Sequence, residues 1–208
     1  DRQSDLSGTH ARIDAQGTRL LVLRAAPAGT ACALVFGDVG LSSEKVLVLA
    51  DAATGGSRIL MRESDGDFGD VTFSIDGTLL GAVFAGERRE VLRIWSVKDG
   101  QVLREIDVTN DDFDVEDQIR FSPDGLRIAS RGDDIRCWTL NDGRPVPLVA
   151  CPDSMARVLD VGWAEDGTVV GLMDGEAGAF LWNHMDGRPL PAPSLRGLIS
   201  DHAFSASS

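Results

Sequence analysis

Two acid-rich runs concentrate the oxygen ligands of this chain. One is Glu63-Ser64-Asp65-Gly66-Asp67-Phe68-Gly69-Asp70, and the other spans Asp107 to Asp117, with Asp111-Asp112-Phe113-Asp114 at its centre. Asp65-Gly66-Asp67 and Asp111-Asp112-x-Asp114 could offer carboxylates to Ca²⁺, but neither fits the Asp-x-Asp-x-Asp-Gly loop with Glu at position twelve. Solvated surface charge is the first reading of such runs, contact with a basic partner the second and a metal the third. The candidate contact surface is therefore Asp65, Asp67, Phe68, Asp70, Asp111, Asp112, Phe113 and Asp114. An aromatic flanked by acids can anchor a partner; Phe68 and Phe113 can equally tuck under a neighbouring element, which is the favoured reading.

Catalytic chemistry finds little support. The histidines are His10, His184 and His202, and no Gly-x-Ser-x-Gly, His-Glu-x-x-His or phosphate-binding glycine loop occurs. Cys32, Cys137 and Cys151 are too few and too scattered for a disulfide framework, and no Cys/His spacing suggests zinc. Buried free thiols in a reducing compartment, the cytoplasm, are expected. No cofactor or metal is expected.

The balance of charge narrows the partners. Against 20 Lys plus Arg stand 33 Asp plus Glu, a formal net charge of −13. Nucleic acid and anionic membranes attract clustered Lys and Arg, so neither is expected as a partner. No apolar run approaches the ~20 residues of a membrane-spanning helix. The first residue is Asp1, not Met, so a piece of a longer chain is expected.

The elements that must position these residues come in repeats. Val71-Thr72-Phe73-Ser74-Ile75-Asp76-Gly77-Thr78 matches Ile119-Arg120-Phe121-Ser122-Pro123-Asp124-Gly125-Leu126 and Val161-Gly162-Trp163-Ala164-Glu165-Asp166-Gly167-Thr168. A weaker copy is Ala11-Arg12-Ile13-Asp14-Ala15-Gln16-Gly17-Thr18. Each alternates apolar with small or polar residues and then turns at a glycine, the hairpin pattern. A second motif follows each first one: Leu92 to Gly100, Ile135 to Gly143 and Ala179 to Gly187 carry Trp95, Trp138 and Trp182, and Leu47 to Gly55 carries Ala50 in the tryptophan place. These four positions are 45, 43 and 44 residues apart.

Each unit reads as four short strands. In the third they run Gln118 to Ser122, Leu126 to Arg131, Asp134 to Leu140 and Pro145 to Val149. A period of ~40–45 residues with four strands is that of a propeller blade, whose two faces are buried only by stacking on neighbours. In the first unit 33 residues separate Gly17 from Ala50, against 18 from Gly77 to Trp95. The excess, Pro27 to Glu44, reads as an extended hairpin between second and third strands.

These residues resemble the WD-repeat β-propellers, in degenerate repeats of the bacterial sort. Phe121-Ser122-Pro123-Asp124-Gly125 is that family's turn; Ala50-Asp51 keeps the Asp of the Trp-Asp pair, while Trp95, Trp138 and Trp182 keep the Trp. The family's Gly-His pair is missing, with Ser64, Asp112 and Ser154 in its places, so a His-to-Trp hydrogen-bond network is not expected. TolB-type propellers and those capping prolyl oligopeptidases share the Ser-Pro-Asp-Gly turn.

The expected architecture is all-β: four four-stranded antiparallel blades at about 4–62, 63–107, 108–150 and 151–195, with 196–208 opening a further blade. Asp201-His202-Ala203-Phe204-Ser205 carries that opening motif. Four blades plus a stub leave an exposed edge, so a segment of a seven- or eight-bladed ring is expected, completed by further blades or another chain, with a closed four-blade ring the less favoured alternative. The resemblance implies a non-catalytic platform for protein interaction or sensing, a scaffold fused to an effector such as a nucleotide-switching ATPase, a caspase-like protease or a kinase. The alternative is a propeller lid or substrate gate of a serine peptidase, or a small-molecule-binding propeller.

Overall fold

The structure is a computed structural model that describes residues 19–27, 29–37, 44–64, 66–86, 89–109, 118–131, 135–146, 158–173, 179–182 and 188–190. These form sixteen strands in four antiparallel sheets, each a meander of four consecutive strands. Blade 1 comprises β1 (Arg19–Ala25), β2 (Ala31–Gly37), β3 (Lys45–Asp51) and β4 (Ser57–Glu63). Blade 2 comprises β5 (Gly66–Phe73), β6 (Leu79–Gly86), β7 (Glu90–Ser96) and β8 (Val102–Asp107). Blade 3 has β9 (Ile119–Phe121), β10 (Arg127–Arg131), β11 (Ile135–Thr139) and β12 (Pro145–Val146). Blade 4 has β13 (Val158–Trp163), β14 (Val169–Met173), β15 (Ala179–Trp182) and β16 (Pro189–Leu190).

The turns explain why these stretches fold locally. In blade 2 the Gly77 amide donates to the Ser74 carbonyl at 2.9 Å with Gly77 at φ +71°, a region open chiefly to glycine. Asp76 fastens the same turn: it accepts from the Ser74 hydroxyl at 2.6 Å and from the Thr78 amide at 3.0 Å. Ser122 and Asp124 repeat the arrangement in blade 3, at 2.5 Å. The serine and aspartate thus do the hydrogen bonding that the sheet cannot supply at its end.

Blade 1 departs from the expectation. Its first turn is Ala26 to Thr30: the Gly29 amide donates to the Ala26 carbonyl at 2.8 Å, with Gly29 at φ +68°. Ala26 and Gly29 therefore stand where Ser74 and Gly77 stand in blade 2, and the Ala11–Thr18 motif lies outside the described residues. Nor is Pro27 to Glu44 an insertion, because Ala31–Gly37 is β2 itself and only 38–44 separate it from β3. The turn needs one glycine at positive φ, and the aspartate only reinforces it. Pro27-Ala28-Gly29 carries neither Asp-Gly nor Gln-Gly, so this turn lacks the mark that the other blades share.

The cores lie between blades. The face of blade 2 that carries Leu80, Ala82, Phe84 and Trp95 packs on Ala33, Val35, Leu47, Leu49 and Met61 of blade 1. Its opposite face, with Val83, Leu92, Ile94 and Ile106, packs on Ile119, Phe121, Ile128 and Trp138 of blade 3. Ala129 and Ile135 of blade 3 then meet Val161, Val169 and Trp182 of blade 4. The tryptophans occupy one recurring place, paired across the strand with Leu80, Ile128 and Val169 and at most 3% exposed. Ala50 holds this place in blade 1, opposite Cys32. The buried Trp95 indole N–H has no hydrogen-bond partner, so the His-to-Trp network is not made there.

Candidate functional site

First strands of successive blades adjoin one another, β1 with β5, β5 with β9 and β9 with β13, which places them on the axial side of the stack. The described part of the first acid run falls on β5, the axial strand of blade 2. Its geometry is set by a bulge: Phe68 pairs with Phe84 and Val71 with Ala82, so Gly69 and Asp70 together oppose Val83 alone. Such a bulge re-aims a side chain. Here it turns Asp70 into the junction of three blades.

The Asp70 carboxylate is 7% exposed and fully engaged. Oδ1 accepts the Val71 amide at 2.9 Å and Arg24 Nη2 of blade 1 at 3.1 Å. Oδ2 accepts the Ile119 amide at 3.2 Å and Arg120 Nη1 of blade 3 at 2.8 Å. Arg24 and Arg120 hold equivalent places, each two residues before the residue that opens its blade's first turn, and each donates back to the carbonyl of the residue before it. One buried acid between two half-exposed guanidinium groups is a clasp between blades, with good charge-assisted geometry.

Its neighbours are equally occupied. Asp67 pairs with Lys45 of blade 1 at 2.8 Å, and the same ammonium, 1% exposed, donates to the Gly66 carbonyl at 2.8 Å. Gly66 is obligatory there, since a Cβ would lie 2.3 Å from the Ala85 carbonyl oxygen. Phe68 is half-buried, edge-to-face with Phe84 at 5.5 Å between ring centroids, and packs on the core between blades 1 and 2. Asp65, Asp111, Asp112, Phe113 and Asp114 lie outside the described residues, as do all three histidines and Cys151. The structure therefore brings Asp67, Phe68 and Asp70 together on one strand and engages each with blade 1 or with its own sheet.

Among the described residues no three His, Cys, Asp or Glu side chains are arranged to hold a metal ion. The shifted carboxylates serve turns. The Ser74 hydroxyl holds Asp76 below the usual carboxylate range, the Ser96 hydroxyl does so for Asp99, Thr109 for Asp107 and Thr139 for Asp142. Burial alone would raise Glu105; its pairs with Arg89 and Arg93 overcome this and lower it. Burial pushes the Cys137 thiol up to about 12, which leaves it protonated and unreactive at neutral pH. The clasp arginines escaped sequence reasoning. The available signal was the recurrence of Arg24 and Arg120 at equivalent places in alternate blades, hidden because blade 1 was read out of frame.

Four antiparallel four-stranded meanders, stacked face to face with their first strands on one side, define blades of a β-propeller. Solved structures agree. The chain superposes on the Dos1 propeller with a TM-score of 0.64 at 14% identity, covering 84% of this chain and 45% of that one. A chain from Bacteroides ovatus described as a dipeptidyl aminopeptidase IV gives 0.62 at 14% identity, covering 80% of this chain and 32% of that one. The β-propeller domain of the Trilobed protease from Pyrococcus furiosus, which has an open velcro topology, gives 0.56 at 12% identity, covering 83% and 56%. The chain thus spans from about a third to just over half the length of these structures. No protein-family model and no curated protein matches it.

Proposed function

We propose that the chain is a non-catalytic, WD-repeat-like propeller segment that presents inter-blade loops to a protein partner with a basic surface, within a larger effector-fused bacterial protein of the cytoplasm. The Asp70 clasp carries this reading. It spends Arg24, Asp70 and Arg120 of the first three axial strands on joining their blades, as a stiff platform requires, and leaves recognition to connections between blades. The connection between β8 and β9 holds the densest acid of the chain, Asp111, Asp112 and Asp114 around Phe113, and acid at that density selects basic partners and speeds their encounter. A photo-crosslinking amino acid at position 113 of the full-length protein, in its own cells, tests this. The control position is Ile75, exposed in the first turn of blade 2. Adducts specific to position 113 that vanish when Asp111, Asp112 and Asp114 become Asn support the platform. Equal adducts at both positions, or none at 113, overturn it.

The second reading, a substrate gate of a serine peptidase, draws on two of the three superposed structures, which come from peptidases. Fold likeness of this kind is analogy. Fluorophosphonate labelling of a serine outside 1–208 in the full-length protein, together with cleavage of a proline-containing peptide, favours the gate.

A further inference from the structure

The junction of blades 1 and 2 and the junction of blades 2 and 3 are built alike and differ at one place. Arg104 of β8 crosses to the turn after β11: its guanidinium donates to the Leu140 carbonyl at 3.2 Å and to the Asn141 carbonyl, and its stem lies beside Gly143. Arg58 of β4 holds the same place one blade earlier, with its stem beside Gly100 of the turn after β7. It makes neither bond. Lys98 stands there in the place of Asn141, and among the described residues neither Arg58 nor Lys98 forms a hydrogen bond or an ion pair.

The packing beneath the two arginines explains the difference. Under Arg104, Leu79 and Leu140 pack on the core between blades 2 and 3. Their counterparts under Arg58 are Ala31 and Val97, both packed on the core between blades 1 and 2 and each shorter than leucine. The space they release belongs to a cleft of about 450 Å³ between the two blades, with Ala31, Leu49 and Val97 as its apolar floor. Arg58 and Lys98 stand on its walls beside the hydroxyls of Thr30, Thr54 and Ser57. Asp51 is the one acid of the lining, and its turn holds it, with Oδ1 accepting the Ala53 and Thr54 amides at 2.8 and 3.0 Å. The lining therefore carries one net positive charge, in a chain whose net charge is −13. A cleft of this volume is in the range of small-molecule sites, and its polar groups converge over an apolar floor. The guanidinium fork suits a carboxylate in two parallel bonds. The charge of Asp51 on the same wall disfavours a second negative charge on the ligand.

We propose that the cleft between blades 1 and 2 binds a small organic monocarboxylate, whose carboxylate Arg58 and Lys98 hold and whose apolar body rests on Ala31, Leu49 and Val97. The cleft lies at the end of the blades that carries the turns after β3 and β7, opposite the β8–β9 connection. This inference is therefore independent of the acidic-loop platform.

Saturation-transfer NMR on the full-length protein, with phenylacetate as the probe, tests it. Phenylacetate should bind with a Kd of about 1 mM, ordinary for so small a ligand. Arg58→Gln and Lys98→Gln, both at exposed places, should each weaken it about tenfold by removing a charge-assisted bond. Ala31→Leu combined with Val97→Leu, which restores the packing of the next junction, should abolish the signal. All variants should keep the wild-type circular dichroism, and the two exposed ones decide the matter if the double variant does not. The alcohol 2-phenylethanol, with the same body and no charge, should bind about tenfold more weakly than phenylacetate. No saturation transfer at ~10 mM phenylacetate overturns the proposal. Binding indifferent to Arg58→Gln and Lys98→Gln would lie elsewhere and also overturns it. So does inorganic phosphate that displaces phenylacetate at equal concentration, which would make the cleft a site for anions in general.

Discussion

Replacing Asp70 by Ala removes a side chain bonded to three blades, and its cost can be assembled from its bonds. Two buried amides, Val71 and Ile119, lose their acceptor. A buried donor left unpaired costs about 1–3 kcal/mol, and the low end applies because the half-exposed arginines admit water to the vacated space. Arg120 is 38% exposed and keeps bonds to the Ile119 carbonyl and to Gln118, so its lost pair is worth about 1 kcal/mol; Arg24, at 52%, adds a few tenths (~0.3 kcal/mol). The total is about 2–4 kcal/mol. With a urea slope of about 2 kcal/mol per molar, the middle of the usual range, the unfolding midpoint should fall by about 1–2 M at unchanged slope. Exchange of the Ile119 amide should accelerate beyond that of Ile128, which keeps its place in the blade 3 ladder. An Asp70→Ala variant within about 0.5 kcal/mol of wild type, the scale of ordinary surface changes, with Ile119 exchange unaltered, would refute the clasp.

Lys45→Ala should destabilise by about 1–3 kcal/mol in urea unfolding, since the Gly66 carbonyl loses a buried donor. Lys45→Met, which refills the volume without a buried charge, should recover most of that loss. Alkylation mapped by mass spectrometry should modify Cys32, half-buried with a thiol raised by burial, before Cys137, which should react only on unfolding. Asp76, Asp99, Asp107 and Asp142 have folded values below their unfolded ones. Their contribution is present above the unfolded value near ~3.9 and is lost as pH falls through the depressed folded values. Urea midpoints should therefore hold from neutral pH to about 5 and drop below about 4, and a midpoint flat to pH 2 would contradict the turn bonds.

Much of the fold was legible because turn chemistry and strand pairing leave marks close together in the chain. The third unit shows this: Leu126 to Arg131 and Asp134 to Leu140 contain β10 and β11, displaced by a residue or so at their ends. Trp95, Trp138 and Trp182 set the frame of three blades because one bulky residue fills the same inter-blade space each time. Blade 1 lacks both marks, with Ala50 for Trp and Ala26 for Ser, and its frame slipped accordingly. The contacts of Asp70 were illegible for another reason. Its partners lie 46 and 50 residues away, and a bulge that no local pattern announces aims it at them. A run of acids reads as solvated charge when only near neighbours are counted. Two of the acids in that run, Asp67 and Asp70, are bonded to other blades.

Each described sheet is built from four strands consecutive in sequence, and none borrows a strand from another. A backbone cut between two blades therefore severs no ladder of hydrogen bonds. Halves divided between β8 and β9 would each keep two whole sheets and would have side-chain packing, the Asp70 carboxylate's bonds to blade 3 and the Arg104 guanidinium's bonds to the Leu140 and Asn141 carbonyls to restore on meeting. Such a chain is suited to fragment complementation: a split reporter placed at that junction would sense the encounter of the halves without disturbing the hydrogen bonding of either.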